Sequence, residues 1–91
     1  MRRIEQTGRF RRDYKREART DPQLDQDLQP VLQALASGSA LPERLRDHAL
    51  SGEWKDFRDC HVRPDLVLIY ALVGEDVLSL SRLGSHSEIF G

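Results

Sequence analysis

The chain has 91 residues, 38% of them hydrophobic and 32% charged, with a formal net charge of −1 at pH 7. That length holds one core, the proportions are those of a folded globular domain, and no apolar stretch reaches the length of a membrane-spanning helix. One cysteine, Cys60, excludes an internal disulfide, and the near-neutral balance gives no general support to polyanion binding.

The first segment, MRRIEQTGRF, is basic but lacks the apolar run of a signal peptide. Together with the lone cysteine this points to the cytoplasm. Within it RRIEQ predicts a short strand. TGRFRRDYKREART then predicts a helix, because Phe10, Tyr14 and Ala18 recur every four residues as a narrow apolar stripe. Residues 2–19 carry eight Lys or Arg against three acids. Arg9, Arg11, Arg12, Lys15, Arg16 and Arg19 therefore offer a phosphate-facing surface, or simply a solvated helix face.

DPQLDQDLQPVLQALASG predicts a second helix. Asp21 suits the N-cap, Pro22 the first turn and Gly38 the C-terminal cap. Leu24, Leu28, Val31, Leu32 and Leu35 share one face, with Pro30 a misfit that removes a backbone donor inside the pattern. Residues 38–53, rich in Gly, Ser, Pro and charge, read as a long connection. Three extended segments follow: EWKDFRDCHV, LVLIYALV and VLSLSRL. The second is apolar on both faces, and the third alternates leucines with Ser79 and Ser81. Gly74 to Asp76 makes the hairpin turn between them, and Arg63-Pro64-Asp65 makes the corner before. The order strand, helix, helix, three antiparallel strands predicts one α+β domain over residues 1–91. Its two N-terminal helices pack on a small, mainly antiparallel sheet.

All three histidines, His48, His61 and His86, sit at segment edges. A meander brings the ends at His61 and His86 to the same edge of the sheet, and the tight corner brings Asp65 toward His61. Imidazole moves protons both ways near neutral pH. RNA cleavage by its own 2′-hydroxyl needs a base, an acid and a cation at phosphorus. Asp65 is placed to orient a histidine, Arg82 or Arg58 to supply the cation, and Phe90 or Trp54 to stack on a base. The plainer roles are a solvated His48, a turn aspartate at 65, a buried Cys60, core Trp54 and Phe57, and an edge-blunting Arg82. A zinc set of His48, Cys60, His61 and His86 is disfavoured, since neighbours Cys60 and His61 point to opposite faces of a strand.

The stretch Arg46 to Leu72, RDHALSGEWKDFRDCHVRPDLVLIYAL, followed by LSRLGSHSEIFG from Leu80 to Gly91, closely resembles the YafQ branch of the RelE/ParE toxin superfamily. The shared pattern is DH.L.G.WK..RD.HV.PD..LIY with a closing R.G.H...FG. The resemblance implies a RelE/ParE-like α+β fold and a type II toxin–antitoxin toxin that cuts mRNA in the ribosomal A site, needing neither metal nor cofactor. It implies a cognate antitoxin as partner, in a hetero-oligomer. At matching positions it implies catalytic roles for His48, His61, Asp65 and His86, and substrate contacts from Arg82, Phe90, Arg58 and Lys55. Where the family carries an aromatic after the Pro-Asp pair, this chain has Leu66. Two other outcomes stay open on this scaffold: a non-catalytic ParE-like inhibitor of DNA gyrase, and an inactive antitoxin-binding module.

Overall fold

The computed structural model describes residues 1–91. The elements run β1 (Arg3–Gln6), α1 (Gly8–Thr20), α2 (Leu24–Ser37), β2 (His48–Ala49), β3 (Arg58–Arg63), β4 (Leu66–Val73), β5 (Val77–Gly84) and α3 (His86–Phe90). The sheet order is β1-β5-β4-β3-β2, with β1 parallel to β5 and every other pairing antiparallel. The expected α+β arrangement, two N-terminal helices on a mainly antiparallel sheet, is the one found. No helix is long and apolar enough to cross a membrane.

Each element has a local cause. Thr7 caps α1 by accepting from the Phe10 N–H at 3.1 Å. The α1 stripe then buries Phe10 fully and Tyr14 and Ala18 in part. In α2 the leucine face is buried as expected, and Gly38 ends the helix at φ +79°, where a side chain would be strained. The helix starts later than Asp21, which instead accepts from the Gln23 N–H in a turn just before it. Pro30 sits inside an unbroken α2. Residues 38–53 are less featureless than their composition suggests: they hold single 3₁₀ turns at Glu43–Leu45 and Gly52–Trp54, and the two-residue strand β2. Strand β3 accordingly starts at Arg58 rather than at Glu53, because Trp54 and Phe57 pack edge-to-face, centroids 5.4 Å apart, in a turn.

Pleating divides the sheet side chains between two faces. Cys60, Leu66, Leu68, Tyr70, Leu78, Leu80 and Leu83 join Phe10 and the α2 leucines in one buried core. The paired positions Asp59–Ile69–Arg82 and His61–Val67–Gly84 lie on the opposite face. A bulge between Ile69 and Tyr70 shifts the register against β5. Ser81 is thereby buried, at 8% exposure, rather than half-exposed like Ser79.

Beyond Leu80, β5 has lost β1 as a neighbour, and side chains of α1 take over its free edge. Thr7 Oγ1 donates to the Ser81 carbonyl at 3.1 Å, Asp13 Oδ2 accepts from the Leu83 N–H at 3.0 Å, and Arg16 Nη2 donates to the Leu83 carbonyl at 3.0 Å. An edge that would otherwise invite pairing is thus closed without a strand.

Candidate active site

The closing segment GSHSEIFG, which sequence reading left without structure, is a one-turn-and-a-half helix. Its start is a capping box: Ser85 Oγ accepts from the Glu88 N–H at 3.2 Å, and Glu88 Oε1 accepts from the Ser85 N–H at 2.8 Å. Arg16 Nε lies 3.5 Å from Glu88 Oε2, tying the helix to α1. These contacts hold Glu88 charged: its backbone hydrogen bond at Ser85 draws the carboxyl below its ordinary value against a burial effect of opposite sign.

So anchored, α3 presents His86 to the second face of the sheet. The His61 and His86 rings lie 5.8 Å apart, His86 and Phe90 5.0 Å, and Phe90 and Trp54 5.8 Å. The expectation that the ends at His61 and His86 meet is met in space. Phe90 is 37% exposed, which leaves ring surface for a base, with Trp54 as its edge-on support.

His61 Nδ1 lies 3.3 Å from the Pro64 carbonyl oxygen. A carbonyl only accepts, so Nδ1 carries the proton and Nε2 of the neutral ring is left with its lone pair. Asp65 is exposed and makes no hydrogen bond with His61. The carboxylate that does stand beside an imidazole is Asp59. Pairing of β2 with β3 sets His48 opposite Asp59, with His48 Nδ1 3.1 Å from Asp59 Oδ1. The Nδ1 proton itself is aimed at the Arg46 carbonyl, 2.6 Å away. Asp59 Oδ1, buried, therefore has no hydrogen-bond donor, and its relation to His48 is proximity of charge rather than a hydrogen bond. A buried acceptor left open is costly.

The expected cations are mostly committed elsewhere. Arg82 Nε donates to Asp13 Oδ2 at 2.7 Å, with both side chains nearly buried. Burial pushes the Asp13 carboxyl up, but the Arg82 and Leu83 hydrogen bonds and the charges of Arg82 and Arg16 outweigh it and hold it below its ordinary value. Arg58 pairs with Asp47, whose other partner is the Tyr70 hydroxyl. Lys55 is exposed beside Trp54 and without a side-chain partner. Leu66, at the family's aromatic position, is buried in the core and offers no stacking surface. Cys60 is fully buried on the helix-covered face, its thiol pushed up to about 12 by burial and then by Asp47 and Asp59. It is thus separated from the histidines, as strand alternation requires. No three His, Cys, Asp or Glu side chains converge anywhere in the chain as a metal site would need.

Beside His61 opens a cleft of about 580 Å³, with Arg44, Arg46 and Arg63 on its walls. In the sequence Arg44 and Arg46 read only as charges of the 38–53 connection. The signal available was weak: two arginines flanking Leu45 just upstream of Asp47-His48.

Comparison with known proteins agrees with this fold. A sequence profile for a bacterial toxin of type II toxin-antitoxin system, YafQ, matches residues 2–91. The mRNA interferase toxin YafQ of Escherichia coli K12 is 35% identical over 89 residues, 97% of this chain and 95% of that one. Among solved structures, a metal-bound toxin from Helicobacter pylori superposes with a TM-score of 0.91 at 41% identity, over 99% of this chain and 100% of that one. A chain of the E. coli DinJ-YafQ complex superposes at 0.86 and 36% identity, over 100% of both chains.

Proposed function

The chain belongs to the YafQ family of bacterial type II toxin–antitoxin toxins, and from that premise we propose that it is an endoribonuclease that cuts mRNA on the ribosome by histidine acid–base chemistry. The observation that carries the reading is the pair His61 and His86, 5.8 Å apart, with Phe90 packed on His86.

Phe90 stacks on a base and holds the backbone across the two imidazoles. His61 Nε2 removes the proton from a ribose 2′-hydroxyl, while Nδ1–H keeps donating to the Pro64 carbonyl. The 2′-oxygen attacks the adjacent phosphorus, the bond to the 5′-oxygen breaks, and His86 delivers a proton to that leaving oxygen. The products are a 2′,3′-cyclic phosphate and a 5′-hydroxyl, with one proton taken and one given. Positioned general acid–base catalysis of this kind contributes on the order of 10²–10⁴-fold for each group. His48, its ring fixed by the Arg46 carbonyl and facing Asp59, adds positive charge near the phosphate when protonated. A cognate antitoxin holds the toxin inactive in a hetero-oligomer, as DinJ is found with YafQ in E. coli. The exposed, unpaired cations of α1, Arg9, Arg11, Arg12, Lys15 and Arg19, face ribosomal RNA, whereas Arg16 is occupied by Asp13, Glu17 and Glu88.

The test is primer extension on an mRNA under translation in a cell-free bacterial extract, with wild type and His86→Ala in parallel. Discrete cuts within codons, lost in the variant and lost without ribosomes, are expected. A folded wild-type protein that leaves the message intact, or a His86→Ala protein that cuts as well as wild type, refutes the reading.

A further inference from the structure

The cleft beside His61 is built for a ligand that nothing in the mechanism above yet occupies. Its volume, about 580 Å³, falls in the range of roughly 300–1,000 Å³ typical of small-ligand sites. His61 stands on its wall together with Arg44, Arg46, Arg63 and Asp27. The last two cancel: Arg63 is held by Asp27, Asp21 and the Gln23 carbonyl. Arg44 and Arg46 do not. Both are exposed, and neither guanidinium has a carboxylate or carbonyl partner. The α1 arginines Arg9, Arg11, Arg12 and Arg19 are open too, but Arg44 and Arg46 are the two open guanidiniums on the wall shared with His61.

The segment that carries them is fixed rather than loose. Leu45, between them, is buried in the core at 4% exposure. The Leu45 and Arg46 N–H groups close the 3₁₀ turn on the Pro42 and Glu43 carbonyls, both at 3.0 Å. Arg46 is the one non-glycine residue with positive φ, at 52°, a conformation that side chains disfavour. Its carbonyl in turn receives the His48 Nδ1 proton. The backbone of one open arginine is thus joined directly to one of the site's imidazoles.

We infer that Arg44 and Arg46 form a phosphate clamp for the RNA backbone, holding the phosphodiester next to the one cut so that its neighbour lies against His61. The inference rests on the nuclease reading for what is cut, but not for the binding itself. Guanidinium is matched to phosphate oxygens in a bidentate way. The cleft therefore recognises backbone rather than sequence, and Phe90 on the other side of the histidine pair takes the base.

The test has two arms. In the first, a fluorescently labelled, uncleavable 2′-deoxy oligonucleotide is titrated with purified toxin across a series of salt concentrations, for wild type, Arg44→Gln/Arg46→Gln, and Arg3→Gln at the far edge of the sheet. The double variant is expected to bind at least about tenfold more weakly at low salt. Its slope of log affinity against log salt should be shallower by about 1.4, two contacts at ~0.7 each for a single strand. Arg3→Gln should keep the wild-type slope. Equal slopes and affinities for wild type and the double variant overturn the clamp, as does an equal loss in Arg3→Gln. In the second arm the same proteins are added to the translated message. A half-saturating toxin concentration raised about tenfold in the double variant, with cuts at the same positions, supports the clamp. Cleavage at wild-type concentrations by the double variant overturns the clamp and leaves the nuclease reading intact. Loss of oligonucleotide binding in the double variant, beside a wild type that never cuts, leaves the clamp and removes the nuclease.

Discussion

Replacing Asp13 with alanine removes four hydrogen bonds at once. The carboxylate accepts from Arg82 Nε at 2.7 Å and Nη2 at 3.4 Å, from the Leu83 N–H at 3.0 Å and from Arg16 at 3.1 Å, and its own side chain is 6% exposed. Arg82, 13% exposed, would be left as a nearly buried charge without a counter-charge. Breaking one side of such a pair costs about 3–5 kcal/mol, against a total stability of about 5–15 kcal/mol for a domain. For a chain of this size that lowers Tm by about 12 °C or more. Urea unfolding of wild type and Asp13→Ala at pH 7 measures it directly. Asp13→Ala/Arg82→Met should recover much of the loss, since apolar side chains replace buried ion pairs at little cost. Because Asp13 titrates below its ordinary 3.8 in the folded protein, its contribution is fully present above that value. It fades as pH falls through the lowered one, so Asp13→Ala should lack that part of the acid-induced loss. A cost under about 1 kcal/mol, or a double variant no more stable than Asp13→Ala, would show that the pair does not hold α1 to β5.

The remaining expectations concern other parts of the molecule. Ser85→Ala should remove about 1 kcal/mol of capping from α3 and lower the cleavage rate while the urea midpoint moves little; an unchanged rate would mean that α3 does not need its cap to place His86. The Cys60 thiol should resist iodoacetamide at pH 8 in the native protein and react readily in urea, as its burial and a pKa of about 12 require; rapid native labelling would contradict that burial. Arg12→Glu/Lys15→Glu should weaken ribosome binding and flatten its salt dependence; an unaltered salt slope would return the α1 face to plain solvation.

What the sequence carries legibly is what periodicity and punctuation encode. The apolar run LVLIYALV is β4 at its own boundaries, Leu66–Val73, and the α2 leucines are the helix's share of the core. The His61–His86 meeting followed from a meander alone. The helix α3 was not legible by periodicity, since five residues make less than two turns; only the Ser85…Glu88 capping box marks it. The two-residue β2 is equally below the threshold of any pattern, and with it goes the register that puts Asp59 beside His48, whereas the corner had suggested Asp65 beside His61. Arg82 reads from the sequence as a free cation. Its partner Asp13 lies 69 positions away and is, with Phe10, one of the two residues α1 buries, a pairing that only tertiary structure creates. Arg44 and Arg46 take their meaning from a cleft, which has no signature in one dimension.

The parallel pairing of β1 with β5 has a consequence for how the chain is made. The strand synthesised first has its only sheet partner in residues 77–80, and the helix that follows β5 carries His86 and Phe90. A ribosome still translating this message holds a chain whose opening strand is unmatched and whose histidine pair does not yet exist. Fragments that stop short of β5 have neither a closed sheet nor an acid–base pair. Under the proposed chemistry, cleavage therefore waits until β5 and α3 have both been made.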